Sequence, residues 1–318
     1  MASGLGLPPL SCLFNNATQN FMNGKTPFPV PSGIRVLLKC QNFSNRLNKT
    51  MAACLEDSQG VSAHLVRLLE DEWASTHRLI VPGRAGRQPT SLSNCLARLI
   101  SVDDLERLNV LLVQLEIQQF YMLPIPGYDQ ETLKNDILRA YNTAQTIVKD
   151  MVKLDSKTDF LLYAPHFYFR ALICAACTIC KVIRSSYKNL VSWGEVGRFT
   201  DDIIFMIKKS IIMEGDLASR LVNILEPWLE LAHGQEWNEE PVSSFTQRLS
   251  AGPTLDCLWR WKHDQENLIN AKGQVPPPDG TDGSAAMANT DPMQFIDWSF
   301  MNDFDWNLGP VIESNGAY

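Results

Sequence analysis

Residues 160–183 read FLLYAPHFYFRALICAACTICKVI, and this stretch decides the fold. Apolar side chains recur on every side of the helical wheel, a pattern typical of an α-helix that is buried in a core or in lipid. Arg170 lies in the middle of the run and His166 lies one turn before it, at the depth where a lipid-spanning helix of about 20 residues carries no charge. Lys181 and Arg184 at the end of the run fit a soluble helix. The stretch therefore predicts a central helix that other helices of the same domain bury.

The chain between residues 34 and 269 predicts further helices and no strands. Apolar residues recur at steps of three and four or their multiples, whereas no stretch keeps the period-two alternation of a half-buried strand. Asp129 and Asp216 are expected helix N-caps, and Thr200 is expected to cap or interrupt a helix. The last helix is expected to begin at Pro253 and to run to about residue 269. We therefore expect an all-α fold, a multi-helix orthogonal bundle around the buried central helix.

Composition divides the chain into three parts. Residues 1–32 contain five prolines among Asn, Gly and Ser, so we expect a disordered, mostly extended segment. Residues 33–271 carry the helical patterns and are expected to form one helical domain. Residues 272–318 begin with KGQVPPPDGTDGSAAMANT, a linker composition, and are expected to be a disordered acidic-aromatic tail.

The formal net charge of -7 is concentrated in the tail. Residues 272–318 hold one Lys and seven acidic residues, which leaves 27 basic and 28 acidic residues in 1–271. A body without excess positive charge has no field with which to hold a phosphate backbone, so direct nucleic-acid contact is not expected. The first residues lack the basic start and the long apolar segment of a signal peptide, and the eight cysteines are scattered. A reduced, intracellular protein without membrane contact is therefore expected.

The tail contains the stretch DPMQFIDWSFMNDFDWNL at residues 291–308, which mixes large apolar residues with Asp and has no basic residue. Repulsion between the acids keeps such a segment in solution while its aromatic rings stay available to a partner, which is typical of acidic-aromatic activation segments. A short helix starting at Asp291 and Pro292 would suit docking in a groove of a transcriptional coactivator. The alternative is that the segment folds back on the body. The candidate anchor residues are Phe295, Trp298, Phe300, Phe304 and Trp306.

Two groups of residues on the central helix are candidate sites. The segment CAACTIC has cysteines at 174, 177 and 180, a spacing that resembles a metal site. A helix, however, does not turn such thiols toward one ion. We therefore expect these cysteines to be small buried apolar side chains, and we expect no metal or other cofactor. His166 and Arg170 lie one turn apart. The first interpretation is a core His and an Arg paired with a carboxylate; the second is a pocket for a small anionic effector, because a buried guanidinium binds carboxylates in a bidentate manner.

An all-α enzyme is the alternative from another functional class. Asp201 and Asp202 begin like the aspartate-rich metal motif of class I terpene synthases, but Phe205 occupies the position of a further acid. Asn135 likewise begins like the second metal motif of that family, but Arg139 occupies its hydroxyl position. A magnesium-diphosphate cluster lacks ligands in this pattern, so no catalytic residue is assigned.

The stretches YFRALICAACTICKVIRSSY and GRFTDDIIFMIKKSIIMEGDLASRLVNILEPW, followed by the acidic-aromatic end, resemble the middle-homology and C-terminal regions of fungal zinc binuclear cluster transcription factors. The nearest group is the one that includes the leucine-biosynthesis regulator. The resemblance covers residues 34–271 and, by composition, the tail. It implies that 33–271 is a regulatory domain, in some members responsive to an effector, that the tail activates transcription and that the protein acts in the nucleus.

The six-cysteine DNA-binding cluster of that family and its coiled coil are absent from these 318 residues. No zinc ligand is therefore carried over. The expectation is either a fragment of a longer regulator or a regulator without its own DNA contacts.

Overall fold

A computed structural model of the chain describes residues 16–23, 25, 27–28, 30–56, 61–80, 102–123, 129–234, 254 and 256–264. All of them belong to the first of the two units into which the chain divides, Met1–Asn270. Every regular element in these residues is helical, which confirms the expected all-α class. The α-helices are α1 (Asn16–Met22), α2 (Ser32–Glu56), α3 (Ala63–Ile80), α4 (Val102–Gln118), α5 (Gln130–Thr158), α6 (Phe160–Tyr163), α7 (His166–Ile183), α8 (Trp193–Lys209), α9 (Leu217–Gly234) and α10, described over 256–264.

Helices α4, α5 and α7 form the centre of the bundle, and the other helices pack on them or on one another. Helix α4 lies against α2, α3 and α5, while α5 also packs on α7 and α8, and α8 packs on α9. The core consists of apolar side chains without solvent exposure, such as Leu47 of α2, Leu108 of α4, Ile147 of α5 and Leu172 of α7. Three or four apolar residues per two turns on each helix give the stripe that this packing needs.

The predicted central helix is buried, but it is shorter than expected. Residues 160–163 form the separate α6, and α7 begins only at His166. Pro165 explains the interruption, because its ring nitrogen has no hydrogen to donate and it pushes Ala164 into an extended conformation, with ψ at 152°. From Leu172 onward nearly every residue of α7 is buried.

Two other expectations are corrected. The extended chain expected over 1–32 is wrong for residues 16–22, which form α1 and pack on α2 with Met22 buried. Thr200 does not cap or interrupt a helix, because α8 passes through it and its hydroxyl donates to the carbonyl of Gly197 at 2.8 Å. A Thr inside a helix satisfies its hydroxyl in this local way.

The two predicted acidic caps are confirmed. The Asp129 carboxylate accepts from the backbone N–H of Thr132 at 2.9 Å at the start of α5. Asp216, just before α9, accepts from the N–H of Ser219 at 2.8 Å. Each carboxylate thus satisfies one of the N–H groups that a helix start leaves open.

Helix α10 is held to α7 by charged groups. Lys181 Nζ lies 2.7 Å from Asp256 Oδ2, and both side chains are almost fully buried. Arg184, just past the end of α7, pairs at 2.8 Å with Asp264, which lies two turns beyond Asp256 on α10. The Cys257 thiol donates to the carbonyl of Cys177 at 3.5 Å. The last described helix is therefore fixed on the central one by directional contacts as well as by packing.

Candidate functional site

The predicted site residues fall partly within the described structure. His166 is the first residue of α7, and its side chain lies outside the described residues. Arg170, one turn later, is half-buried. Burial lowers the pKa of its guanidinium, and the nearby Cys174 offsets part of that lowering. The tail residues Phe295, Trp298, Phe300, Phe304 and Trp306 lie outside the described residues.

Arg170 shares one face of α7 with Cys174 and Thr178, because these residues are spaced by four. Gln119, in the 3-10 turn that follows α4, faces this row. Its amide nitrogen donates to the Cys174 sulfur at 2.8 Å and to the Thr178 hydroxyl at 3.0 Å. A row of polar side chains therefore continues inward from the half-buried Arg170 between α4 and α7.

Glu116 extends this row toward α2. Its carboxyl oxygens contact the Ser44 hydroxyl at 2.5 Å and the Asn48 amide nitrogen at 2.9 Å. Burial of the carboxyl raises the pKa of Glu116, and the hydrogen bonds from Ser44 and Asn48 offset only part of that rise. The carboxyl group therefore keeps its proton to higher pH than an exposed glutamate does. We call the whole set the α4–α7 polar cluster: Ser44, Asn48, Glu116, Gln119, Cys174 and Thr178.

Two acceptors in the α4–α7 polar cluster have no hydrogen bond. The side-chain oxygens of Asn48 and Gln119 are buried, and neither has a hydrogen-bond partner in the described structure. Buried polar atoms are nearly always satisfied by protein, by ordered water or by a bound molecule. These two acceptors can bind only hydrogen-bond donors such as water, whereas an anion would have to be held by Arg170, one turn from Cys174 on the same face of α7.

The chemistry of the α4–α7 polar cluster favours binding over covalent reaction. Burial raises the pKa of the Cys174 thiol to about 11, with only partial relief from the hydrogen bond that Gln119 donates. A thiol with such a pKa is protonated near neutral pH and is a poor nucleophile. Cys177 and Cys180 are buried as well. The pKa of the Cys177 thiol is raised by its hydrogen bond with Cys257 and by burial, and that of Cys180 is raised by burial and by the nearby Cys257.

A second polar network lies between α3, α4 and α5. The buried Glu70 carboxylate accepts from Gln118, from the Tyr121 hydroxyl and from Arg139. Arg139 also contacts Asp136 at 2.6 Å. Apart from the Gln118 side-chain oxygen, which is buried without a hydrogen-bond partner in the described structure, these groups bond to one another.

The residues that resemble terpene synthase motifs lie in different surroundings. Asp136, next to Asn135, is buried and paired with Arg67 and Arg139, whereas Asp201 on α8 is exposed. Phe205 of the same motif is 67% exposed. Over the part of the chain that the structure describes, no three His, Cys, Asp or Glu side chains are grouped as a metal ion would require.

Sequence reasoning missed Glu116 and Gln119. A signal for Gln119 existed: it occupies a position in the series Leu105, Leu108, Leu112, Leu115 and Met122 where the helical spacing calls for an apolar residue. No comparable signal marked Glu116, because a glutamate on a helix usually faces solvent.

No protein-family model, no protein of curated function and no solved structure matches the chain. Among the described helices, none is both long and apolar enough to cross a membrane. The features that bear on function are therefore the α4–α7 polar cluster beside Arg170, the attachment of α10 to α7, and the composition of the tail.

Proposed function

We propose that this chain is a transcription regulator, or the regulatory part of one, that acts in the nucleus without DNA contacts of its own. Residues 33–271 are its helical regulatory domain, and residues 272–318 carry an activation segment that binds a coactivator. The proposal assigns no catalytic role and no cofactor. The observation that carries it is the stretch 291–308, in which five aromatic residues stand among four aspartates with no basic residue.

The energetics of such a segment suit a reversible partner. Each aromatic side chain buried on docking supplies about 2 kcal/mol before the cost of ordering the chain. A micromolar dissociation constant corresponds to a binding free energy of about 8 kcal/mol. Two or three aromatic anchors supply most of it, and backbone and polar contacts supply the rest. The aspartates steer the encounter and keep the segment soluble.

Arg170, beside the α4–α7 polar cluster, supports a role for the body in sensing a small anionic effector. The guanidinium of Arg170 can bind a carboxylate, and burial raises the pKa of Glu116, which favours its uncharged form. Cys174 also hydrogen-bonds to Thr254, a helical residue two positions before the described span of α10, on the chain path toward the tail. A molecule bound beside Cys174 thus touches the segment through which the body and the tail are connected.

The activation segment is tested by fusing residues 290–310 to a neutral DNA-binding domain and measuring a reporter. We expect activation, and we expect that changing Trp298, Phe300, Phe304 and Trp306 together to Ala silences the reporter more completely than changing the four aspartates to Asn. An aromatic variant that activates as well as the parent segment would remove the main support for the proposal.

The effector role is tested on the full chain with a panel of mono- and dicarboxylic acids, measured by the rise in melting temperature. At least one acid should stabilise the parent chain, and Arg170→Met should abolish that rise. Arg198→Met is the control, because Arg198 is an exposed arginine on α8. An equal rise in the Arg170→Met and parent chains would exclude Arg170 as the anion-binding group.

A further inference from the structure

A group of cysteine thiols lies where α10 meets α7. Cys177 and Cys180 of α7 and Cys257 of α10 are all buried, and each is a free thiol. The Cys257 thiol donates to the carbonyl oxygen of Cys177 at 3.5 Å. The thiols of Cys177 and Cys257 also hydrogen-bond to each other. Neither the activation segment nor the effector role proposed above uses this pair.

The contact between Cys177 and Cys257 joins two different helices. Thiols that already touch need only a small approach of their sulfur atoms to reach the bonding distance of about 2 Å in a disulfide. Cys180 is the other candidate on α7, but it affects Cys257 only through charge, without a hydrogen bond between the two side chains. The contacts therefore favour Cys177 as the partner of Cys257.

We propose that Cys177 and Cys257 form a modification site at which a peroxide joins α7 to α10 through a disulfide bond. First, the Cys257 thiolate attacks one peroxide oxygen, the O–O bond breaks, and the other oxygen takes up a proton and leaves as water. Cys257 is then a sulfenic acid. Next, the Cys177 sulfur attacks the Cys257 sulfur, and the S–O bond breaks. The released hydroxyl leaves as a second water with the Cys177 proton, so two thiols and one hydrogen peroxide give one disulfide and two waters.

The position of Cys257 on α10 determines which thiol reacts first. The hydrogen bond with Cys257 and burial raise the pKa of the Cys177 thiol, which therefore stays protonated near neutral pH. Cys257 lies on the last described helix, and an element at the end of a domain opens at a lower free energy than the centre of the core does. We therefore expect a peroxide to oxidise Cys257 during brief openings of α10.

The close packing of the two helices selects a small oxidant. A sulfenic acid adds one oxygen atom to Cys257, so α10 can return to α7 with the oxidised sulfur in place. A mixed disulfide with a thiol peptide would instead put a much larger group between the helices. The buried pair of Lys181 and Asp256, next to Cys257 in sequence, brings α10 back to the same position on α7. Cys177 is therefore the thiol that the sulfenic acid meets.

The disulfide would fasten the end of the helical body. It closes the long loop of residues 177–257, and a disulfide that closes a long loop removes much conformational freedom from the unfolded chain. Helix α10 then stays on α7 until a reductant cleaves the bond. Oxidation should therefore stabilise the folded chain, and reduction should reverse that gain.

The first test is peptide mapping of the full chain after treatment with hydrogen peroxide. Cleavage after Lys and Arg gives the peptides 171–181 and 249–260, and these two should be joined by a disulfide. The melting temperature should rise by about 5 °C relative to the reduced chain. A chain in which these two peptides remain separate would overturn the proposal.

The second test identifies the cysteine of α7, because peptide 171–181 contains three. Cys177→Ala should abolish both the linkage and the rise in melting temperature. Cys180→Ala is the matched control, a buried cysteine three residues later on the same helix, and it should keep both. Loss of the linkage in the Cys180→Ala chain, but not in the Cys177→Ala chain, would refute the assignment.

The third test determines the order of the two steps. In the Cys177→Ala chain the sulfenic acid has no partner, so dimedone, which reacts with sulfenic acids, should label Cys257. In the Cys257→Ala chain dimedone should leave Cys177 unlabelled, because Cys177 stays buried and protonated. Labelling of Cys177 in the second chain, with none of Cys257 in the first, would overturn the proposed mechanism.

Discussion

The buried ion pair between α7 and α10 leads to a quantitative prediction. Lys181 Nζ and Asp256 Oδ2 are 2.7 Å apart, with side chains 2% and 0% exposed. Removing one member of a fully buried pair leaves the other charge away from water without its counter-charge, at a cost of about 3 to 5 kcal/mol. We therefore expect Lys181→Met or Asp256→Asn to remove a large share of a stability that for a domain totals about 5 to 15 kcal/mol.

The matched control is Lys208→Met. Lys208 and Glu226 are 2.6 Å apart, almost the same distance, but their side chains are 49% and 39% exposed. An exposed pair contributes about 0 to 1 kcal/mol, because water already solvates both charges. The two lysine substitutions remove the same chemical group, so the difference between them isolates the effect of burial.

The assay is urea denaturation followed by far-UV circular dichroism, with each variant compared through its midpoint at constant m-value. The double variant Lys181→Met with Asp256→Val should recover most of the stability that either single change loses, since no charge is then left buried. If Lys181→Met costs no more than Lys208→Met, the pair is not desolvated and this account of how α10 is attached fails.

Three further predictions follow from single side chains. Burial raises the pKa of Glu116, so its carboxyl binds a proton more tightly in the folded than in the unfolded state. The free energy of unfolding should therefore fall as pH rises above about 4.3. Glu116→Gln should flatten that part of a pH titration of the unfolding midpoint. Burial alone would raise the pKa of Asp216, but hydrogen bonds from backbone N–H groups lower it. The Asp216 carboxylate therefore stabilises the fold at neutral pH, and this stabilisation is lost in acid. Asp216→Ala should cost about 1 kcal/mol at pH 7 and little at pH 2 in the same assay. Leu172→Ala removes a fully buried side chain and should cost about 2 to 5 kcal/mol, whereas Leu68→Ala, at a 54% exposed site, should shift the thermal midpoint little.

Periodicity predicted most of the helices because it reports directly on which face is buried. Helices α2 and α3 lie where apolar residues recur between 34 and 73. The acidic caps were also predictable, since a carboxylate before an apolar run satisfies open N–H groups by a purely local contact.

The errors arose where local and tertiary effects compete. Apolar residues keep helical spacing through Pro165, so the pattern alone predicted one helix. Pro165 has no backbone N–H to donate, and the structure has two helices there, α6 and α7. Helix α1 lies in a segment whose composition predicts extended chain, but burial of Met22 against α2 stabilises it. Such packing depends on residues distant in sequence and leaves no local signal.

Most of the α4–α7 polar cluster could not be predicted, for a related reason. The buried polar groups of α4 bear on how the bundle specifies its packing. Apolar stripes allow a helix to slide or rotate against its neighbours at small cost, whereas buried polar groups require particular partners. Around α4 these partners belong to three different helices. Asn109 accepts from the Tyr168 hydroxyl of α7, Glu116 is bonded to α2, and Gln118 donates to Glu70 of α3. Any shift of α4 would break one of these bonds inside the core, so the polar residues that weaken its apolar pattern are the ones that fix its position among its neighbours.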